Sequence, residues 1–320
     1  MLGDPHSEDH RYEGSRRDHV RRAGGSGGPE LPEPQAGPGE VRIRVHAVAV
    51  NPTDTGVRAG LRVRGDGPWV PGMDAAGVLD QLGPHADGRL SVGQRVIAQV
   101  VPHGTHGAYA QRVVVPAASV VPAPENVDFA AASTVLMNAM TARLALDALA
   151  LAPGDTLAVT GAAGVFGGYA IQLAKADGLR VVADAKEADV GAVRSLGADE
   201  IVERGEDVAA RIRAVHPEGV RGVADGAVLN ERTLPAIADG GKLATVRFWD
   251  GPAERGIAVH PVMVTSRATD TDRLDHLARQ VERGVLTPRV AAVLPYTEAV
   301  EAHRRIEGGG VRGRIVLDFG

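Results

Sequence analysis

Val41 to Val50, VRIRVHAVAV, alternates apolar and polar side chains and then runs apolar, the period-2 signature of a strand with one buried face. Pro71 to Leu79, Gly93 to Val101 and Ala108 to Val115 are further short strand-like runs set off by glycine and proline, and Asn51-Pro52-Thr53-Asp54 reads as a turn after the first strand. Several short strands with little helix between them predict a compact, barrel-like β domain. The period changes near Pro122. Asp128 to Leu151 is rich in Ala and Leu at helical spacing. From Thr156 onward strands (156–160, 180–185, 200–202, 222–227, 242–247) alternate with helices (168–175, 190–196, 208–215, 230–237). That alternation predicts an α/β fold with a parallel, doubly wound sheet. A late strand over 256–264, amphipathic segments over 271–283 and 297–306, and a closing strand over 314–319 complete the pattern, with no internal repeat.

The chain is organised around Thr156 to Lys175, TLAVTGAAGVFGGYAIQLAK. An apolar β-branched run enters a turn of small residues and leaves as a helix, and RVVADA (180–185) closes a βαβ unit of about 30 residues. Gly164 lets a backbone approach phosphates, Gly167 lets helix and strand pack closely, and the helix N-terminus offers free N–H groups and a positive dipole end. Ala163, Gly164, Val165, Phe166 and Gly167 are therefore the candidate pyrophosphate contacts. Ala162 stands where the first glycine usually does, giving A-x-G-x-x-G. Many strand-to-helix turns hold glycine for steric reasons alone, and that alternative stays open.

Bulk properties narrow the classes. The net charge of −5 gives no electrostatic case for nucleic acid or anionic membrane as partner, and 44% hydrophobic residues suffice for a core. Zero cysteines exclude disulfides, thiolate metal sites and a cysteine nucleophile. No apolar run is read as a membrane span and no signal core is evident, so a cytoplasmic protein is expected. Residues 1–28 are polar and glycine-rich and are expected to be disordered; His6, His10 and His19 within them read as a metal tract or, more simply, as part of a solvated tail.

GEVRIRVHAVAVNPTD, VPGMDAAGV, GAYAQRVVVPA, the glycine-rich core, RSLGADEIV and VRGRIVL together resemble the medium-chain dehydrogenase/reductase superfamily, and within it the zinc-free quinone oxidoreductase branch. The resemblance runs from about Pro29 to Phe319. It implies a discontinuous, β-rich GroES-like substrate domain (29–122 and 268–320) around a Rossmann cofactor domain (123–267), with the cleft between them. It also implies a homodimer, formed through the strand 256–264. Zinc-dependent members carry Cys-His and His-Glu where this chain has Asn51-Pro52 and Met73-Asp74, and Asn, Pro and Met cannot supply tetrahedral zinc ligands. Without a Lewis acid, hydride is better delivered to a quinone or an α,β-unsaturated carbonyl, which spreads the developing charge, than to a plain ketone. The expected activity is NADPH-dependent, zinc-independent reduction of such an acceptor. The alternatives are an enoyl-thioester reductase and a nucleotide-binding homologue that has lost catalysis.

By the same resemblance Asn51 orients the acceptor near the nicotinamide, or caps a turn before proline. Thr141 is a cofactor-proximal threonine, or a helix hydroxyl bonded to its own backbone. Arg314 reaches the cofactor, or is a strand-edge charge. Asp54 and Arg58 are expected to pair with each other across one helical turn, chiefly for structure, and Tyr109 to pack. Cofactor choice rests on the end of the second strand. The superfamily register puts Ala185, not Asp184, at the ribose-binding carboxylate position, and strand alternation turns Asp184 to the other face. Lys186 and Arg204 then favour NADP(H) over NAD(H), and a shift of one residue would restore Asp184 and reverse the choice. His103 and His106 form an H-x-x-H in a glycine-rich loop with no third ligand in sight. The tyrosines common after the Asn51 motif are replaced by Gly56 and by Leu61 or Arg62, and the family's opening hairpin is missing, which predicts an exposed sheet edge or an impaired cleft.

Overall fold

The computed structural model describes residues 31–60, 68–86, 88–249, 251 and 254–320. The expectations for residues 1–28, with their three histidines, and for Leu61 and Arg62 lie outside the described residues.

The β-rich part opens with β1 (Glu40–Ala49), α1 (Pro52–Arg58), β2 (Asp74–Leu82), β3 (Arg95–Gln99), β4 (Arg112–Pro116) and β5 (Val120–Pro122). Two helices follow, α2 (Phe129–Ala132) and α3 (Leu136–Leu149). The alternating part is β6 (Thr156–Thr160), α4 (Val165–Ala176), β7 (Arg180–Ala185), α5 (Val190–Ser195), β8 (Glu200–Glu203), α6 (Val208–Val215), β9 (Val220–Asp225), β10 (Ile237–Thr245) and β11 (Ala258–Pro261). The chain returns through α7 (Thr271–Glu282), β12 (Val290–Pro295), α8 (Ala299–Glu307) and β13 (Arg314–Asp318).

Two sheets result. The first runs β12-β13-β1-β2-β3-β5 with β4 beside β1, so it draws strands from both ends of the chain. Residues at every second position of β1, among them Val41, Ile43 and Val45, are buried, as the alternation required. Among the described residues β4 pairs only with β1, which leaves its outer edge without a strand. The second sheet runs β8-β7-β6-β9-β10-β11 with every neighbouring pair parallel. The order reverses between β6 and β9, and a doubly wound sheet opens its ligand crevice at such a point. Helices α3 and α4 cover one face, with α6 and a 3-10 turn on the other. Ile171 and Leu173 of α4 are fully buried, each contributing about 1.5–3 kcal/mol.

The structure differs from the sequence expectations at several places. The turn after β1 is the first turn of α1. Residues 230–237, expected as an α-helix, form a 3-10 segment over Asn230–Ala236, because Pro235 has no N–H to extend an α-helix. The apolar face of α7, Leu274, Leu277, Ala278 and Val281, packs in one cluster with α3 and α4 and with Val121 and Ala123 at β5, so this helix bridges the core beneath the parallel sheet and the β-rich part. The helical stretch Phe129–Leu149 is long and apolar enough to cross a membrane by length and composition, but it is largely buried as the central core helix.

The glycine-rich turn is built by Gly161 as much as by Gly164 and Gly167. Gly161 has φ 65°, a left-handed conformation that suits glycine. The tight-turn role therefore falls on Gly161, one residue before the Ala162 assigned to that place. A Cβ on Gly167 would press on the Gly161 carbonyl and stand 2.7 Å from the Ala162 Cα. Gly167→Ala is expected to destabilise the protein by about 1–3 kcal/mol in urea denaturation, since the atoms it meets are backbone of the turn, which gives way less easily than a side chain. An unchanged midpoint would show that α4 can move away from β6.

Candidate active site

Two groups of buried polar side chains stand out, one at the joint between the sheets and one around the glycine-rich turn. The joint is built on Asp74, at the start of β2 and wholly buried. Its Oδ1 accepts the Met137 N–H at 2.9 Å, and its Oδ2 accepts Asn51 Nδ2 at 2.8 Å. Helix α3 begins with Val135-Leu136-Met137, which supplies no capping side chain. Asp74 therefore caps α3 from the other sheet, a carboxylate at the positive end of the helix. The Asn51 Oδ1 accepts Asn138 Nδ2 at 3.2 Å, and the Asn138 Oδ1 accepts the Arg314 guanidinium.

Behind this lies a second buried carboxylate. Asp54, at the third position of α1, accepts the Asn51 N–H at 2.8 Å, the Gly72 N–H at 3.1 Å and the Tyr109 hydroxyl at 3.3 Å. The Tyr109 oxygen also lies 3.1 Å from His303 Nε2 on α8. Burial pushes Asp54 up to about 7 and Asp74 up to about 6, while burial pushes His303 down to about 4. Arg314, whose Nε is shut off from solvent, supplies the positive charge facing both carboxylates.

These contacts revise several expected roles. Asn51 is fully buried with both ends of its amide engaged, so it positions Asp74 and Asn138 and does not present its side chain to an acceptor. Asp54 and Arg58 do not pair: Asp54 points into the joint and Arg58 bonds Glu307 on α8. Arg314 is half-buried on β13, which lies between β12 and β1, so it is not a strand-edge charge. The Thr141 hydroxyl donates to the Met137 carbonyl at 2.6 Å, as a helix hydroxyl bonded to its own backbone does. His103 and His106 exchange backbone hydrogen bonds with rings 4.6 Å apart, and no cluster of three or more metal-ligating side chains occurs among the described residues. Zinc does not fit the joint. The Met73 sulfur receives the Thr53 hydroxyl at 3.3 Å, and the Asp74 carboxylate is taken by two donors.

The second group surrounds the turn. Gly164 is the N-cap of α4, so the N–H groups of Val165, Phe166 and Gly167 point out of the first turn without helical partners. Ala163 and Val165 are buried, and the Phe166 ring lies against Gly226 at the end of β9, where a Cβ would stand 2.6 Å from it. The Gly164 carbonyl accepts the Arg289 guanidinium, delivered from the return segment. Asp225 at the end of β9 accepts the Thr160 hydroxyl at 2.5 Å and the Asn230 N–H at 2.7 Å, which ties β6 to β9 at the crevice. Asp184 does lie on the face opposite Ala185, yet its Oδ1 accepts the Ala162 N–H at 3.0 Å. Alternation therefore does not take it away from the turn. Its Oδ2 is buried without a hydrogen-bond partner, and Arg204 Nε stands 4.0 Å away. Lys186 is exposed just beyond β7. A turn with an open backbone, a helix N-terminus and a partnerless carboxylate oxygen beside it suits a dinucleotide.

Residues 37–125 match the alcohol dehydrogenase GroES-like domain and residues 196–317 the zinc-binding dehydrogenase family. A solved NAD-dependent alcohol dehydrogenase is 32% identical, with a TM-score of 0.81, covering 91% of this chain and 95% of that one. The chain belongs to the medium-chain dehydrogenase/reductase superfamily. The quinone oxidoreductase of Sus scrofa is 28% identical over 298 residues, 87% of this chain and 88% of that protein. A mycobacterial protein solved with NADPH is 25% identical, with a TM-score of 0.78, covering 91% of this chain and 94% of that one. The chain is thus an oxidoreductase of that superfamily.

Asp74, Asn138, Asp225, Thr160 and Arg289 were not found as site residues from the sequence. Only Asp225, an acid followed by glycine at the end of a strand, carried a local signal. Asp74→Ala strands the Met137 N–H and the Asn51 amide and is expected to cost about 2–4 kcal/mol in denaturant unfolding. Combined with Asn51→Ala, the loss should fall short of additive by about 0.5 kcal/mol or more, since the two share a bond. Additive losses would mean that the bond carries no coupling. Unfolded carboxylates titrate near ~4, so the folded state holds the Asp54 and Asp74 protons more tightly. The stability this gives is complete below that pH and is lost as pH rises through 6 to 7. His303 works in the opposite sense over the acidic range, and Asp54→Asn leaves it in place. Urea unfolding should therefore show the advantage of wild type over Asp54→Asn shrinking from pH ~4 to pH ~7.5. An advantage that grows with pH would contradict the burial argument.

Proposed function

We propose that the protein reduces a quinone or an α,β-unsaturated carbonyl, taking hydride from NADPH without zinc. The observation that carries this reading is the pairing of the open turn at Gly161 to Gly167 with a joint whose carboxylates and amides are engaged with one another and whose donor set does not suit zinc. When bound, the dinucleotide supplies hydride to an electron-poor carbon. The backbone N–H groups of Val165, Phe166 and Gly167 hold the pyrophosphate at the positive end of α4, with Arg289 adding charge at the same turn. Lys186 and Arg204 lie beyond β7, where the adenosine end falls, and favour a 2′-phosphate. The joint fixes the crevice wall: Asp74 holds α3 and Asn51 holds Asp74. No side chain among the described residues of the joint offers a free proton to the crevice, so water completes the product. An acceptor that delocalises the new charge suits such a site better than a ketone whose alkoxide needs an electrophile.

Similarity to a quinone oxidoreductase and to a protein solved with NADPH supports this reading. The test is NADPH oxidation, followed by absorbance, with simple quinones, enones and acyl thioesters. Turnover with a quinone or enone is the expected result. Turnover with thioesters alone, or tight dinucleotide binding with no turnover across the panel, would overturn it.

A further inference from the structure

The loop between β3 and β4 brings two histidines face to face. His103 and His106 exchange both backbone N–H···O bonds at 2.9 Å, so they sit directly opposite one another in an antiparallel bridge. Residues paired in this way carry their side chains on the same face. Gly104 and Thr105 make the two-residue turn between them, and Gly104 has φ 51°, which suits glycine at the first central position. The imidazole rings stand 4.6 Å apart, tilted by 35°. The bridge is held by the neighbouring chain. Val70 donates its N–H to the Gly104 carbonyl at 2.9 Å, Ala108 to the Gly72 carbonyl at 3.1 Å and Tyr109 to the Pro71 carbonyl at 3.0 Å. Gly107 packs so closely there that a Cβ on it would collide with the Val70 and Pro71 carbonyls. The ring chemistry is set as well. His103 Nδ1 lies 3.1 Å from the Val101 carbonyl, which can only accept, so Nδ1 carries the hydrogen and Nε2 keeps its lone pair. His103 is exposed and His106 is half-buried. Burial and the adjoining His103 hold the His106 imidazole below its ordinary pKa against the opposing pull of Glu40, so this ring is largely neutral at neutral pH.

We propose that His103 and His106 form a two-imidazole site for a divalent transition ion of borderline softness (Ni²⁺, Cu²⁺ or Zn²⁺) on the loop between β3 and β4. Neutral imidazole nitrogens suit these ions, whereas Mg²⁺ and Ca²⁺ take oxygen ligands. A histidine that donates one ring N–H to a backbone carbonyl has its tautomer fixed and its other nitrogen free to ligate, as His103 has. Both ligands stand on a turn whose backbone is already hydrogen-bonded, so binding orders little beyond the two rings. Water fills the remaining coordination positions. The inference is independent of the hydride-transfer reading, because the ion sits on the loop and not in the joint. Its effect is to staple the turn that leads into Tyr109, whose hydroxyl bonds Asp54.

Calorimetric titration of the full chain with Ni²⁺ in a non-chelating buffer tests the site, with Mg²⁺ as the hard-ion control. One Ni²⁺ is expected to bind at the loop and to raise the melting temperature, as a ligand that prefers the folded state does. His103→Asn and His106→Asn should each abolish that binding component and the melting shift. Neither should change the melting temperature in the presence of a chelator, since the bridge is made by backbone. His6, His10 and His19 offer a rival set of imidazoles near the start of the chain. Changing all three to Gln should leave the loop component intact. Affinity should fall by about tenfold or more from pH ~7.5 to pH ~5.5, because protons compete for the ligating nitrogens. Undiminished affinity in either single variant, or loss of the component in the triple variant, overturns the proposal. So does an equal response to Mg²⁺, or the absence of binding by Ni²⁺, Cu²⁺ and Zn²⁺ alike.

Discussion

The hydrogen bond from the Met137 N–H to Asp74 is the contact on which the two halves of the molecule depend. Helix α3 is the central core helix of the parallel sheet, and it starts in an apolar sequence with no cap of its own. Unpaired N–H groups at a buried helix start are costly. The missing acceptor comes from β2, so the helix is completed only when the β-rich part is docked. Because the acceptor is an ionised or ionisable group buried in the joint, its own needs propagate. Asn51 satisfies its second oxygen, Asn138 satisfies Asn51, and Arg314 closes the chain with a positive charge. A single capping requirement thus sets four side chains drawn from β1–α1, β2, α3 and β13.

The second carboxylate follows the same logic one layer deeper. Asp54 holds the N-terminus of α1 and the Gly72 turn together, and Tyr109 links it to α8. Both acids are buried and both are displaced upward in pKa, so the joint is stable in spite of its ionisation and not because of it. Buried polar groups of this sort specify one docking geometry more than they add stability. A crevice that must hold a hydride donor and an acceptor in register needs such a fixed wall.

What the sequence made legible was whatever is local. Strand alternation in β1, the switch to strand-helix alternation after Pro122, and the small-residue turn after β6 all lie within one window of chain, and the sheets formed as their periods required. The joint was not legible, because its partners are far apart in the chain: Asp74 and Met137 are separated by 63 residues and Asn138 and Arg314 by 176. Asp74 stood out in the sequence only as part of the Met73-Asp74 pair that replaces a His-Glu zinc pair. Asn51 was singled out, but its burial reverses the expected role, since an amide with both ends bonded cannot also hold a substrate. Asp184 shows a subtler failure. Its face was read correctly from alternation, yet the chain of the glycine-rich turn crosses the strand end, and a side chain on the far face still reaches it.

The two ends of the crevice are balanced differently, and that difference is chemically sensible. At the joint, Asp54 and Asp74 face one arginine and leave little positive potential to attract a phosphate. Around the turn, Lys186, Arg204, Arg289 and Arg312 stand among Asp184, Asp189 and Asp225, with Glu187 beside Lys186. On the proposed reading these cations would lie where a dinucleotide carries its phosphates, and the joint where its nicotinamide and the acceptor would meet. Fields focused by a low-dielectric crevice orient a ligand before contact. On the proposed reading a dinucleotide would enter phosphate end toward α4, which leaves the reactive ring to the hydrogen-bonded wall that Asp74 and Asn51 maintain.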